Sequence, residues 1–240
     1  MKARAKIIFV TGTDTGVGKT VLTALLLEGL RAEGRNALAL KPFCSGSRAD
    51  ARALLAREKG CLTLDEVNPF YFDKALAPRA AAPPGRLPSL KAVVKYIEDV
   101  ADRCDLLLVE GSGGLLVPLG VDFTVADLIR ELSCAVIVVS CNKLGTINHT
   151  LLTVSYLERV GIKHVSVALM RARHTDLSAR SNLRILREMA PGTRLIEVPF
   201  LTGKPLSKRG MKKSVTFLKK TLAEIMDNAI VSLPARKGRG

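Results

Sequence analysis

Two patterns of apolar residues alternate along this chain. In one, nearly every position is apolar, as in 6–11, 37–41, 106–110, 135–140, 165–169 and 195–199. In the other, apolar residues recur every three or four positions, as in 19–33, 49–59, 89–103, 124–132, 147–160, 177–189 and 213–228. The first pattern predicts strands buried on both faces, and the second predicts amphipathic helices. Buried strands that each lead into a helix imply a mostly parallel central sheet with helices on both faces. In such α/β folds, ligands bind at the carboxyl ends of the strands. The proline-rich stretch 77–88 reads as a mobile loop within the domain, not a boundary. Residues 1–231 are expected to form one α/β domain, and 232–240 a basic, disordered tail.

The first strand-to-helix junction carries the most informative residues. Gly12, Thr13, Asp14, Thr15, Gly16, Val17, Gly18, Lys19 and Thr20 stand between the run Ile7, Ile8, Phe9, Val10 and the run that starts at Val21. A strand, a glycine-rich loop ending in Gly-Lys-Thr, and a helix form the context of a phosphate-binding P-loop. Loop N–H groups would point at phosphate oxygens, at a helix N-terminus that already favours anions. Lys19 would reach the β- and γ-phosphates, and the Thr20 hydroxyl would hold Mg²⁺. The usual spacing places a glycine at position 13, where this chain has Thr13. A glycine-rich turn is the plainer alternative.

Composition narrows the picture. The chain has 240 residues, of which 48% are hydrophobic and only 4% aromatic, so Leu, Val, Ile and Ala must fill the core. No apolar run is long enough to span a membrane. The five cysteines (Cys44, Cys61, Cys104, Cys134, Cys141) lack metal-ligand spacing, which suits a reducing cytoplasm. The start of the chain runs directly into the first strand, leaving no expected signal peptide. Lys plus Arg outnumber Asp plus Glu by 37 to 22, for a net charge of +15. Much of this excess lies late, at Lys208, Arg209, Lys212, Lys213, Lys219, Lys220, Arg236, Lys237 and Arg239. No aromatic residues interleave with those charges as a nucleic-acid stacking platform requires, so neither nucleic acid nor membrane is the expected partner.

Other candidates fall at predicted strand ends. Glu110 closes 106–110 and precedes Gly111, Ser112, Gly113 and Gly114. A carboxylate there is costly unless neutralised, and a Mg²⁺ held with phosphates would neutralise it. An acidic turn residue is the alternative. Lys41 ends the second strand and would point toward the γ-phosphate or a second substrate, although taken alone it reads as a solvated lysine. Asp50 opens the next helix and reads as a helix N-terminal acid, or as a second metal-facing carboxylate. Residues 143–149 form a strand-to-helix turn whose N–H groups would suit a carboxylate, or a plain tight turn.

Taken together, these segments resemble the dethiobiotin synthase family. The matching motifs are Gly-Thr-Asp-Thr-x-Val-Gly-Lys-Thr at 12–20, Lys-Pro-x-x-Ser-Gly at 41–46 and Val-Glu-Gly-x-Gly-Gly at 109–114. Further matches are Lys-Leu-Gly-x-Ile-Asn-His at 143–149, Val-Pro-Phe at 198–200 and Asn68-Pro69-Phe70. The resemblance covers roughly 6–205. It implies an ATP- and Mg²⁺-dependent ureido ring closure on 7,8-diaminopelargonic acid with CO₂ or bicarbonate, in biotin biosynthesis.

Carried over by residue, the resemblance assigns catalysis to Lys19, Lys41 and Thr15. Gly16, Val17, Gly18, Lys19, Thr20 and Val21 would wrap the phosphates, with Glu110, Gly111, Ser112 and Gly113 nearby. Met170, Arg171, Pro199, Phe200 and Leu201 would surround the nucleoside. Thr20, Asp50 and Glu110 would bind the metal. Ser45 and Gly113 would contact the diamine, and Gly145, Thr146, Ile147 and Asn148 of a homodimer partner would take its carboxylate. Position 16 is Gly where the family often has Glu. Met170 and Arg171 stand where the family usually has an asparagine that reads adenine, so several nucleoside triphosphates are expected to serve. The competing reading is a septum-site or plasmid-partition ATPase switch that docks on membrane or DNA. Those proteins carry an extra lysine early in the loop, where this chain has Asp14.

Overall fold

The computed structural model describes residues 6–173 and 176–231. The expected tail at 232–240, with Arg236, Lys237 and Arg239, lies outside the described residues. Six strands form the main sheet: β1 (Lys6–Gly12), β2 (Ala37–Leu40), β5 (Leu106–Glu110), β6 (Ala135–Asn142), β7 (Val165–Arg171) and β8 (Arg194–Val198). Their order is β2-β5-β1-β6-β7-β8, and every pairing is parallel. All residues of β2 and β5 are buried, as parallel strands sandwiched between helices must be.

The helices fall into two packed groups. On one side, α1 (Lys19–Ala32) packs against α2 (Ala49–Leu55), α9 (Lys208–Phe217) and α10 (Lys219–Val231). On the other, α5 (Leu90–Ala101) packs with α6 (Val125–Leu132), and α7 (Thr146–Arg159) with α8 (Asn182–Met189). Helix α5 shows the local logic. Ser89 caps it by accepting from the Ala92 N–H, and Val93, Val94, Ile97, Val100 and Ala101 bury one face. Helix α6 starts on a capping box in which Thr124 and Asp127 bond each other's backbone N–H groups.

The structure adds two short parallel strands, β3 (Phe43–Ser45) and β4 (Phe70–Phe72), and two one-turn helices, α3 (Leu64–Val67) and α4 (Pro78–Ala81). Thus 77–88 is not wholly loop: Pro78 supplies the pre-set φ of a first helical position. Three further expectations are corrected. The helix expected over 49–59 ends at Leu55, and the chain then turns through Lys59 at φ 49°. The helix expected over 177–189 divides into a 3-10 turn, Leu177–Arg180, and α8. The break falls where Asn182 Nδ2 is drawn to Asn142 Oδ1 (2.9 Å) and the Lys143 carbonyl (3.2 Å). The helix expected over 213–228 is two helices, α9 and α10, hinged at buried Leu218.

Candidate active site

The register of the sheet explains the site. Leu40 of β2 pairs with Val109 of β5, so the next residues, Lys41 and Glu110, are brought side by side. Lys41 Nζ lies 2.6 Å from Glu110 Oε1 and donates to the Gly111 carbonyl at 3.0 Å. Both side chains are buried. Removing one member of such a pair strands the other charge, at a cost of about 3–5 kcal/mol. Burial opposes the charge on Lys41, but Glu110 and Asp50 outweigh it and raise its pKa. Asn68, buried, fixes the end of this strand by donating to the Lys41 and Pro42 carbonyls at 2.9 and 3.1 Å.

On the other side of Glu110 is the phosphate loop. Gly18 adopts φ 105°, a left-handed conformation open to glycine, and launches α1 without a side-chain cap. The first-turn N–H groups of α1 therefore face the cavity with the helix dipole behind them. Thr13 is not among the residues with positive φ, so a β-branched residue fits where the usual spacing has glycine. Thr20 Oγ1 donates to Glu110 Oε1 at 2.7 Å, and Lys19 Nζ donates to the Asp14 and Gly113 carbonyls at 2.8 Å each. Burial, reinforced by the positive charge of Lys41, lowers the Lys19 pKa to about 8.

Two cavities meet here. One, of about 260 Å³, is lined by Thr15, Gly16, Gly18, Lys19, Thr20, Val21 and Leu206, among others. The second, of about 410 Å³, lies between β3, Ser112 and the segment 75–78. Thr15, Lys41, Asp50 and Gly113 line both, forming a common wall. Gly113 has to be glycine, because a Cβ there would stand 2.7 Å from Val117 Cγ2 at φ 63°. Ser45 lines the second cavity, and its buried hydroxyl has no partner. Ser112 Oγ donates to the Phe43 carbonyl at 2.6 Å. Cys44 also lines this cavity; burial pushes its thiol up to about 11, so it stays protonated near neutral pH.

Among the described residues, no group of three or more His, Cys, Asp or Glu side chains is placed to hold a metal ion. The oxygen donors Thr20, Asp50 and Glu110 nevertheless line one cavity, and Glu110 Oε2 is buried without a partner. A buried carboxylate oxygen left unpaired beside a phosphate loop fits a hard divalent cation that completes its shell with phosphate oxygens.

The residues expected to surround the nucleoside are placed differently. Neither cavity is lined by Met170, Arg171, Pro199, Phe200 or Leu201. Met170 lies against the loop, 3.4 Å from where a Cβ on Gly18 would stand. Arg171 Nε bonds Glu197 Oε1 at 2.9 Å with its side chain half exposed. Leu206 lines the phosphate cavity and carried no sequence signal. The turn Gly145, Thr146, Ile147, Asn148 also lies outside both cavities. Gly145 (φ 90°) precedes α7 without a side-chain cap, and Leu144 and Leu152 beside it are strongly exposed.

Comparison with known proteins places the chain in a family. Residues 6–203 match the family model described as an AAA domain. The ATP-dependent dethiobiotin synthetase BioD of Anaeromyxobacter sp. (strain Fw109-5) is 43% identical over 174 residues, 70% of this chain and 78% of that protein. The enzyme of that name from Bacillus licheniformis is 41% identical over 167 residues, covering 67% and 71%. The one from Aquifex aeolicus is 36% identical over 204 residues, covering 84% and 92%. The chain belongs to the ATP-dependent dethiobiotin synthetase family. Among solved structures, the MinC:MinD cell division protein complex of Aquifex aeolicus aligns with TM-score 0.59 at 17% identity, covering 98% of this chain and 100% of that one. A ParA family ATPase from Chlorobium tepidum aligns with TM-score 0.55 at 16% identity, covering 92% and 97%. At that identity the likeness establishes the P-loop α/β fold of this dethiobiotin synthetase family member, and no more. Among the described residues, no helix is long and apolar enough to cross a membrane.

Proposed function

We propose that this protein closes the ureido ring of dethiobiotin, using ATP, CO₂ or bicarbonate, and 7,8-diaminopelargonic acid. The observation that carries the reading is the common wall: Thr15, Lys41, Asp50 and Gly113 separate a phosphate cavity from a second cavity sized for a small molecule. A phosphoryl donor in one cavity and an acceptor in the other meet at Lys41.

One substrate amine adds to CO₂ to form a carbamate. A carbamate oxygen attacks the γ-phosphorus, the bond to the ADP oxygen breaks, and a carbamic-phosphoric anhydride results. The second amine then attacks the carbonyl carbon, and phosphate leaves with the anhydride oxygen. Lys19 turns from the loop carbonyls to the transferring phosphoryl group. Lys41 sits on the carbamate side and offsets its charge, and Thr15 lies between the two. Such transfer depends on positioning and cationic clamps more than on covalent catalysis. Thr20, Asp50 and Glu110 would hold Mg²⁺, which would supply neutralising charge beside the phosphates.

Ser45, with its unpartnered hydroxyl, receives the diamine with Gly113. The uncapped start of α7, Gly145 to Asn148, takes the substrate carboxylate of a partner subunit, which accounts for its lying outside both cavities of its own chain. Exposed Leu144 and Leu152 suit a homodimer contact at that point. The base lies by Met170, Arg171, Pro199, Phe200 and Leu201, and a cytoplasmic setting fits the free thiols.

The membrane- or DNA-docking switch rests on the exposed cations of α9 and α10. The decisive assay mixes protein, Mg²⁺, ATP, bicarbonate and the diamine, and follows phosphate and product mass. Phosphate release that requires the diamine and yields the cyclic urea is expected. Slow release without it, stimulated by anionic vesicles or duplex DNA, would favour the switch.

A further inference from the structure

A chain of buried hydroxyls connects the phosphate loop to the start of α7, and the reaction proposed above does not use it. Ser140, third from the end of β6, is its hub. Ser140 Oγ lies 2.7 Å from Thr146 Oγ1, accepts from Thr150 Oγ1 at 2.9 Å, and faces the Thr13 hydroxyl at 3.5 Å. Ser140, Thr146 and Thr150 are each at most 2% exposed. A serine hydroxyl has one proton and two lone pairs. Thr150 donates to it, either hydroxyl of the close Ser140–Thr146 pair can be the donor, and Thr13 stands at the outer limit of hydrogen-bond reach. Thr13 is held to the same strand end a second time, by its N–H donating to the Val139 carbonyl at 3.0 Å. Thr13 stands where the usual loop spacing has a glycine, which has no hydroxyl to offer. Thr146 is the first residue of α7, whose N-terminal turn has no side-chain cap. One buried serine thus faces the phosphate loop on one side and bonds the first two turns of a 14-residue helix on the other.

We infer that Ser140 is a positioning residue that couples occupancy of the phosphate loop to the placement of the α7 N-terminal turn. A hydroxyl chain buried in a low-dielectric interior is costly to leave half made, so its members shift together. Nucleotide binding that moves Thr13 re-sets Ser140, and Ser140 re-sets Thr146. Where that turn receives a carboxylate from the partner subunit's substrate, as the proposed function has it, the link makes the two ligands bind interdependently. The coupling within one chain does not depend on that reading.

The test reads the coupling first without any diamine. Hydrogen exchange is followed across 143–153 in the wild-type protein, with and without Mg²⁺ and a non-hydrolysable ATP analogue, and again in Ser140→Ala. The wild type is expected to change protection of the α7 first turns on nucleotide binding, and Ser140→Ala to bind the analogue within about threefold while losing that change. Thr146→Ser, which keeps the hydroxyl, should retain the response; Thr146→Val, of the same shape without it, should lose it. Thermal melts identify any variant that fails to fold, and the Thr146 pair then decides. A second readout is the affinity for the diamine with and without the analogue: an enhancement of about fivefold or more in wild type, absent in Ser140→Ala, is expected. A Ser140→Ala protein of lower melting temperature that keeps the wild-type exchange response overturns the inference and leaves Ser140 a satisfied core hydroxyl. A coupled exchange response with no diamine binding in wild type overturns the proposed substrate and leaves this inference standing.

Discussion

The carboxyl edge of the sheet is built in two contrasting ways. On the β2-β5-β1 side, Lys41 and Thr20 both bond Glu110, at 2.6 and 2.7 Å, Lys19 donates to the Asp14 and Gly113 carbonyls at 2.8 Å each, and the two lysines and Glu110 are buried. On the β7-β8 side, Arg171 and Phe200 are exposed, and the ion pair between Arg171 and Glu197 is half in solvent. In the proposed reaction the first side would present fixed charges to the transferring phosphoryl group with little reorganisation. The second offers a base no buried polar side chain from the positions expected to read it. Under the proposed function, the contrast means that rigidity is invested in the phosphates and the reaction, not in the base.

The largest effects should come from the rigid side. Lys19→Ala and Lys41→Ala are each expected to lower kcat/KM about 10³-fold or more, measured by phosphate release. Lys41→Ala should also lose stability, by up to about 3–5 kcal/mol in denaturant melts, because Glu110 is left buried and unpaired. Combining it with Glu110→Gln should restore stability without restoring turnover. Near-normal turnover in folded Lys41→Ala would remove Lys41 from the mechanism. Next comes Ser45→Ala, expected to raise KM for the diamine about tenfold while KM for ATP stays within about twofold. Equal changes in both would mean that the two cavities are not separate subsites.

Smaller effects belong to the open side. Met170→Asn should restore a polar edge and raise the preference for ATP over CTP about tenfold, read from kcat/KM. Arg171→Ala breaks an exposed pair and should cost less than about 1 kcal/mol in thermal melts. A larger loss there would show that the β7-β8 side is as tightly built as its counterpart.

Much of this was legible in the sequence. The six main strands announced themselves because burial on both faces makes a strand apolar throughout. Gly16, Gly18, Lys19 and Thr20 were readable because phosphate binding fixes both residue type and spacing. Strands β3 and β4 were not, since three residues carry no periodicity and their position depends on Asn68 holding the chain at Lys41 and Pro42. The division of α9 from α10 has no glycine or proline to mark it and follows from the burial of Leu218. The Lys41–Glu110 pair needed the register of β2 on β5, which no local pattern gives. Leu206 reaches the phosphate cavity from a loop after β8, a purely tertiary fact. Met170 was visible as a departure, but only the structure placed it against Gly18.

The contrast between the two sides is tested most directly by kcat/KM for ATP, CTP and GTP under one set of conditions with saturating diamine, bicarbonate and Mg²⁺. A phosphate side that carries the binding and an open base side predict values within about a hundredfold of one another. A preference for ATP greater than about a thousandfold would contradict the account, because it would require a specific reader of the adenine edge on the side described here as open.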